Sequence, residues 1–591
     1  MFRFRAHSLL EPLCYMEENV SYRKPTREDS FVGFFLAFHT ESVRQFTGTY
    51  AWKECDVMSQ IYINDLTFGY TTSYDMIFEH VSFQIDTDWR LGFIGRNGRG
   101  KTTFLKLLLG TYDYQGTITS PVSFSYFPFE VVDEAELTMA VIKNTIAPFS
   151  KWEQEMEQCL KEHHSEESLE SYGRLQELYL AHDGYVIEEL IEKELGKLRV
   201  DVEVLTRPYY TLSFGERTKL MLAALFLKKN NFLLIDEPTN HLDMEGRDTL
   251  AEYLKSKSGF ILVSHDRNFL DSCIDHVLSI NRTDIEVQKG NYSSWWENKE
   301  RRDHYELDKN EQLKKEITIL SDAAKRARGW SDQVESSKIG NHAPDRGAIG
   351  HKAAKMMKRA KAIENRKLDA VEEKKSLLKN VEELDDLKIN VLPFAGRRLM
   401  EAEDLSLYFD ERRVASEIQF NLAKGSRLAI QGKNGSGKTT LLKLLLGEKI
   451  DYQGRYYVAP SLKISYVSQD TSYLTGNLRD FAVSYGLDET IFKTVLRQLD
   501  ISRVQFEKDI SEFSAGQKKK VLLAKSLAEP AQVFVWDEPL NYIDIFSRRQ
   551  IEELILEHQP TLIFVEHDRV FCERIATDTV RLEQGTILQK D

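Results

Sequence analysis

Cysteine is scarce in this 591-residue chain, and the five present (Cys14, Cys55, Cys159, Cys273 and Cys572) form no C-x-x-C pair. That spacing excludes a local zinc or iron–sulfur ligand set and a disulfide framework, and it suits a reducing compartment. Uninterrupted apolar runs of about 18 residues are also missing, so the sequence offers no membrane-spanning helix. The opening Met1-Phe2-Arg3-Phe4-Arg5 lacks the sustained apolar stretch of a secretory signal. Nor is there a basic surplus. Lys and Arg number 79 against 93 Asp and Glu, a net charge of −14, which excludes a nucleic-acid-binding surface over the whole molecule but allows local patches. The length is enough for several domains, each with its own core.

What the chain does have is two glycine-rich loops. The first reads Gly95-Arg96-Asn97-Gly98-Arg99-Gly100-Lys101-Thr102 and the second Gly432-Lys433-Asn434-Gly435-Ser436-Gly437-Lys438-Thr439. Both satisfy G-x-x-x-x-G-K-[ST], in which backbone N–H groups wrap nucleotide phosphates, the lysine reaches the β/γ oxygens and the threonine hydroxyl meets Mg²⁺. Each loop follows an apolar run (Leu91-Gly92-Phe93-Ile94; Leu428-Ala429-Ile430) and precedes a helical pattern, the strand–loop–helix context the motif requires. Candidate nucleotide-binding residues are Gly95, Asn97, Gly98, Gly100, Lys101, Thr102 and Thr103, and Gly432, Asn434, Gly435, Gly437, Lys438, Thr439 and Thr440.

Aligning the halves on these loops brings further motifs into register. Leu212-Ser213-Phe214-Gly215-Glu216 answers to Phe513-Ser514-Ala515-Gly516-Gln517, and Leu233-Leu234-Ile235-Asp236-Glu237-Pro238 to Phe534-Val535-Trp536-Asp537-Glu538-Pro539. Asn240-His241-Leu242-Asp243 answers to Asn541-Tyr542-Ile543-Asp544, and Val263-Ser264-His265-Asp266 to Val565-Glu566-His567-Asp568. An apolar strand ending in Asp236 or Asp537 can hold a Mg²⁺ shell, and the next carboxylate, Glu237 or Glu538, can orient or deprotonate an attacking water. His265 and His567 sit where a turn can present them to the γ-phosphate.

In this order the motifs resemble those of the ATP-binding-cassette superfamily, over roughly residues 60–295 and 400–591. The resemblance implies an α/β fold with two cassettes packed head to tail, each signature closing over the other half's phosphate loop. One site would join Gly95–Thr102 to Ser514 and Gly516, the other Gly432–Thr439 to Ser213 and Gly215. It also implies ATP and Mg²⁺ as cofactors, with Thr102, Asp236, Thr439, Gln469 and Asp537 around the metal. An aromatic stacking on adenine falls on Tyr70 and Phe409, which are read equally well as ordinary strand aromatics of the core. The halves differ where Tyr466-Val467-Ser468-Gln469 faces Tyr126-Phe127-Pro128-Phe129, because Phe129 has no donor or acceptor. Phe214 and Ala515 replace a usual signature glycine. Slower hydrolysis at the Gly95–Thr102 site is therefore expected.

Between the halves the pattern turns charged and helical. Two stretches, about 297–328 and 351–385, flank a middle containing Gly329, Gly340, Pro344, Gly347 and Gly350, which reads as an antiparallel helical hairpin with a tip near 329–350. His351–Lys367 holds seven Lys or Arg against one acid, a patch suited to a phosphate backbone or, alternatively, the solvated face of a coiled coil. With Gly290–Trp296 and Asp345–Arg359, this region resembles the linker of ABC-F proteins, closest to the Lsa-type and VmlR-type ribosomal protection branch. That resemblance implies a cytoplasmic ATPase that binds the bacterial 70S ribosome at the tRNA exit site, near 23S rRNA and P-site tRNA, and promotes release of lincosamides, pleuromutilins and streptogramin A. Trp330 or His342 at the tip is then a candidate for stacking on RNA bases. DNA and membrane partners are not expected, and a monomer with an intramolecular cassette pair is. A housekeeping ABC-F translation factor and the ATPase subunit of a transporter are the rival readings.

The expected domains are an N-terminal extension (1–57), a first ATPase domain (58–296), a helical linker (297–395) and a second ATPase domain (396–591). The extension has no clear period, and Lys53-Glu54 ahead of Met58 suits an encoded ribosome-binding sequence, so translation is expected to start at Met58. Gly95 to Leu212 spans 117 residues against 81 from Gly432 to Phe513. The excess, around 147–197, is read as a larger helical subdomain in preference to a ribosome-touching arm.

Overall fold

The computed structural model describes residues 60–336 and 387–582, apart from 71–75, 162–165, 241, 281–284, 397, 410 and 411, together with scattered positions between 354 and 374. The N-terminal extension and His342 lie outside the described residues.

Each half is built from a mainly parallel sheet and a small antiparallel one. In the first half the spatial order is Ser123–Phe127, Asn231–Asp236, Phe260–Val263, Arg90–Ile94, His276–Ile280, Ile285–Lys289, with only the last pair antiparallel. In the second, five described strands follow the order Ile464–Val467, Val533–Asp537, Leu562–Val565, Arg427–Gly432, Asp578–Leu582, all parallel. Val533–Asp537 is buried along its whole length, as expected of a central parallel strand covered on both faces. In the antiparallel sheets the central strand Gln60–Gly69 pairs with Met76–Asp86 and Gln115–Thr119, and the central strand Met400–Phe409 with Arg412–Leu422 and Asp451–Val458. In each half one core lies between the two sheets and another between the parallel sheet and a helical subdomain. Both phosphate loops, and the Asp-Glu pairs beside them, emerge at the C-terminal ends of parallel strands, where open α/β sheets place ligands.

The first half's extra segment folds into helices Phe149–Lys161, Glu166–Ala181 and Ile187–Lys197. The third buries Ile187, Ile191 and Leu195 in the core, so this part of the insertion is a structural member of the subdomain.

The linker helix is longer than the sequence suggested. It runs from Tyr292 to Ser336, 45 residues, straight through Gly329 and Trp330. One glycine costs a helix only about 1 kcal/mol relative to alanine, too little to stop a helix of this length. Positions 361–363 and 365–367 are helical as well. Lys367 Nζ donates to Ala323 O at 3.4 Å and Lys374 Nζ bonds Glu316 Oε2, so one segment descends as the other climbs: an antiparallel pair.

The halves meet through buried charge and stacked aromatics. Arg267 of the first half forms two bonds with Glu552 of the second, which is fully buried and also accepts from Arg574 Nη1 at 2.8 Å. At the root of the linker helix, Trp296 packs on Phe546 with centroids 5.7 Å apart, and Arg549 lies over Trp296 at 4.6 Å while bonding Glu300 Oε1 at 2.6 Å. Removing one partner of a buried pair leaves the other charge uncompensated, at about 3–5 kcal/mol. Asp568, 3.9 Å from Arg267, offsets part of that loss. Glu552→Ala is therefore expected to lower stability in urea unfolding by about 3 kcal/mol; a change below about 1 kcal/mol, the scale of an exposed pair, would contradict a load on this contact.

Candidate functional site

The two phosphate loops share one geometry. Each enters its helix through a glycine with left-handed backbone, Gly100 at φ 94° and Gly437 at φ 87°. A Cβ there would fall 2.5 Å from Ile77 Cγ2 or 2.9 Å from Val414 Cγ1, so only glycine fits against the neighbouring strand. Lys101 Nζ folds back to Gly95 O (2.7 Å) and Arg96 O (3.1 Å), and Lys438 Nζ to Gly432 O (2.9 Å) and Lys433 O (3.0 Å). Thr103 is buried behind the first loop, and Thr440 lines the second site's cavity.

The strand-end acids are set by backbone as much as by side chain. Glu237 (φ 51°) and Glu538 (φ 48°) both adopt the left-handed region. Such a conformation costs about 1–3 kcal/mol in a non-glycine residue, and both halves retain it. Asp236 Oδ2 accepts from Thr102 Oγ1 and from Tyr126 OH, each at 2.9 Å. Neither oxygen of buried Asp537 makes a hydrogen bond of good geometry, although the Thr439 hydroxyl lies close enough to favour its charged form. Burial, then the neighbouring Glu538, pushes the Asp537 carboxyl up to about 6. Hard oxygen donors of this kind, one hydroxyl and one carboxylate per site, fit Mg²⁺.

Beyond these shared parts the sites diverge. Glu538 is buried, yet bonds outweigh that burial and hold its carboxyl down at about 2; His567 and Gln469 are the main contributors. Gln469 Nε2 donates to Glu538 Oε2 at 2.9 Å, Asn541 Nδ2 donates to the same oxygen at 2.6 Å, and His567 Nε2 lies 3.5 Å from Oε1. In the first half, Phe129 occupies the position of Gln469 and packs against the core. Glu237 Oε1 is left buried without a hydrogen bond, His265 Nε2 lying 3.4 Å away but out of line. Burial, then Asp236, raises the Glu237 carboxyl to about 8, and burial, then Lys101, holds His265 well below its ordinary value. Burial thus favours the neutral acid at Glu237, whereas the partners of Glu538 favour its carboxylate.

The signature serines cap their own helices: Ser213 Oγ accepts from Glu216 N and Ser514 Oγ from Gln517 N, both at 3.3 Å. Phe214 and Ala515 are exposed on the first turn of those helices. Across the interface the halves are head to tail. Asn97 Nδ2 of the first phosphate loop donates to Tyr542 O of the second half at 2.8 Å, and a Cβ on signature Gly516 would fall 2.7 Å from that carbonyl and 3.4 Å from the Asn97 amide. His265 Nε2 is 3.1 Å from Asn97 Oδ1. The first loop, the opposite signature and the opposite Asp544 turn are thus drawn together. The second loop and the opposite signature instead line a cavity of about 980 Å³ containing Ser213, Gly215, Lys438, Thr439, Gln469 and Glu538.

Tyr70 points its hydroxyl at Thr103 Oγ1 (2.9 Å) and sets its ring edge-on to Phe68 and Tyr112. Phe409 ends the strand Met400–Phe409 beside the second loop's sheet. His241 lies outside the described residues. Sequence reasoning missed Lys519, whose buried Nζ donates to Ser468 O (2.8 Å) and Asp537 O (3.1 Å) and so ties the Gln469 segment to the strand-end acids. In the run Lys518-Lys519-Lys520 it reads as a solvated charge. Lys520 is buried too, bonded to Asp544 Oδ2 at 2.9 Å. Asp266 and Asp568 cap the helices that follow them and pair with Arg247 (2.8 Å) and Arg548 (3.0 Å).

A positioned base contributes on the order of 10²–10⁴ in rate. Glu538→Gln should therefore reduce nucleotide hydrolysis at least tenfold more than Glu237→Gln, because it leaves only the site whose glutamate lacks the amide partner. Steady-state phosphate release from the two variants decides this; equal residual turnover contradicts it.

The family model described as ABC transporter matches residues 78–240 and 415–541, once in each half. The chain is 28% identical over 529 residues to the putative ATP-binding protein YdiF of Bacillus subtilis, covering 87% of this chain and 78% of that protein. It is 27% identical over 533 residues to the ribosome protection protein VmlR of Bacillus subtilis, covering 88% and 86%. The energy-dependent translational throttle protein EttA of Escherichia coli is 27% identical over 531 residues, covering 85% and 88%. Among solved structures, the archaeal ribosome recycling factor aABCE1, in complex with the stalk protein aP1, covers 88% of both chains with a TM-score of 0.53 and 17% identity, a likeness of fold. The chain thus carries two tandem ABC-type nucleotide-binding domains and is an ATP hydrolase.

Proposed function

We propose that this protein acts on the bacterial ribosome from the cytoplasm, and that it protects the peptidyl-transferase centre from lincosamides, pleuromutilins and streptogramin A by inserting its linker from the tRNA exit site. The observation that carries this reading is the linker helix, whose 45 residues span roughly 68 Å at 1.5 Å per residue. A connector between two adjacent cassettes has no need of such reach. His351–Lys367, with its seven Lys or Arg, supplies the charge for a phosphate backbone near 23S rRNA and P-site tRNA. The relatives VmlR and EttA carry names that refer to the ribosome and to translation. Among the described residues no helix is long and apolar enough to cross a membrane, which gives the transporter-subunit reading no support of its own.

In this scheme residues 58–296 and 396–591 are the ATPase domains and 297–395 the linker, its tip beyond Ser336, and one chain supplies both cassettes. ATP lies on Gly95–Thr103 and Gly432–Thr440, closed by Ser514 and Gly516 or by Ser213 and Gly215, with Tyr70 and Phe409 toward adenine. Thr102 with Asp236, and Thr439 with Asp537 and Gln469, hold Mg²⁺, which neutralises phosphate charge when bound. Glu538, held as a carboxylate by its three neighbours, orients the attacking water and takes its proton, while His567 faces the γ-phosphate. Glu237 and His265 perform the same roles at the slower site.

A housekeeping ABC-F factor shares the ribosome but not the drug effect. Ribosome action itself is tested by the Glu237→Gln, Glu538→Gln double variant. It is expected to sediment with 70S ribosomes in ATP and to leave them in ADP. Equal absence from the ribosomal fraction in both nucleotides would refute the proposal, as would a requirement for membranes.

A further inference from the structure

The cavity over the second phosphate loop is lined at one end by Gln469, Glu538 and His567 and also by Arg412, Arg413 and Val414 from the start of the strand Arg412–Leu422. These groups belong to different sheets. Glu538 follows a strand of the parallel sheet, Arg413 lies on the antiparallel one, and the phosphate loop runs between them. Val414 Cγ1 fixes the register, because a Cβ on Gly437 would fall 2.9 Å from it. A nucleotide with its γ-phosphate at Glu538 and its chain on Gly435–Lys438 therefore directs its base toward the strand bearing Arg413.

Arg413 is half-buried there, paired across the sheet with Tyr408, and its Nε is buried without a hydrogen-bond partner. Desolvating an unbonded guanidinium nitrogen is unfavourable unless something else compensates. A guanidinium is flat, permanently charged and weakly hydrated, and it stacks on aromatic faces. The corresponding residue of the first half is Met76, one residue before Ile77, which meets Gly100 as Val414 meets Gly437. Met76 is exposed and carries no charge.

We propose that Arg413 is a base-recognition residue of the second nucleotide site, its guanidinium lying against the nucleobase, and that the first site lacks this contact. The two sites then differ in nucleotide affinity as well as in hydrolysis. The second holds ATP more tightly because its base meets Arg413 as well as Phe409, whereas at the first only Tyr70 faces the base.

The test uses the full chain carrying Lys101→Ala, so that the second site dominates binding, and compares ATP with base-free ribose 5-triphosphate. A stack of this kind contributes on the order of 1.4 kcal/mol, about tenfold in affinity. Arg413→Met is expected to weaken ATP about tenfold and leave ribose triphosphate unchanged; that unchanged binding also reports an intact fold. Arg413→Lys, which keeps the charge but not the plane, is expected to behave like Arg413→Met. Unaltered ATP affinity in Arg413→Met, or full rescue by lysine, overturns the proposal. An equal loss for both ligands at an unchanged melting temperature assigns Arg413 to the phosphates and overturns it too.

Discussion

The arrangement turns on one contact between the halves, the Asn97 amide donating to the Tyr542 carbonyl at 2.8 Å. Around it are the signature glycine Gly516, the histidine His265 and the buried Lys520–Asp544 pair, so the site around the first phosphate loop is built partly from the second half. Neither half alone could assemble that site. The same region reaches the linker, because Phe546, two residues beyond Asp544, meets Arg96 of the phosphate loop at 5.6 Å and Trp296 at the linker root at 5.7 Å. A change in the phosphate loop thus has a packed route of three side chains to the base of the long helix.

The unequal sites follow from a few substitutions within a common frame. Both glutamates share the left-handed backbone, and both histidines sit within 3.5 Å of them. What differs is Gln469 against Phe129, and Lys519 against Thr218, each five residues beyond its signature serine. One carboxylate accepts from two amides, Gln469 and Asn541, with His567 3.5 Å away, and the other carries an unbonded buried oxygen. An amide donor stabilises the charged form directly, whereas a phenyl ring contributes only burial, which favours the neutral acid. Unequal cassettes suit a protein in which one site holds the halves together while the other turns over.

Much of the fold was readable because phosphate chemistry restricts residue types at fixed spacing: the glycines, Lys101, Lys438 and the Asp-Glu pairs announce strand ends and helix starts. The head-to-tail contact was legible only through family likeness, since nothing in a linear sequence pairs Asn97 with Tyr542. The linker was legible as helical but not in extent. Gly329 looked like a stop, yet a single glycine cannot outweigh the continuity of a helix running from Tyr292 to Ser336. Lys519 and Lys520 were hidden for the opposite reason: a charge run suggests solvent, and only folding shows that carbonyls and Asp544 replace the water. Arg413 escaped notice because its meaning lies in the cavity that a second half completes.

The central claim is that ATP-driven cassettes position a linker that clears drugs from the ribosome. Its most direct measurement is a susceptibility panel on bacteria expressing the chain, with a lincosamide, a pleuromutilin, a streptogramin A and one drug acting elsewhere. The account predicts raised tolerance to the first three, unchanged tolerance to the fourth, and loss of the effect in the Glu237→Gln, Glu538→Gln variant. Unchanged tolerance to all four, with the protein expressed and bound to ribosomes, would contradict it and leave a factor that serves translation without protecting it.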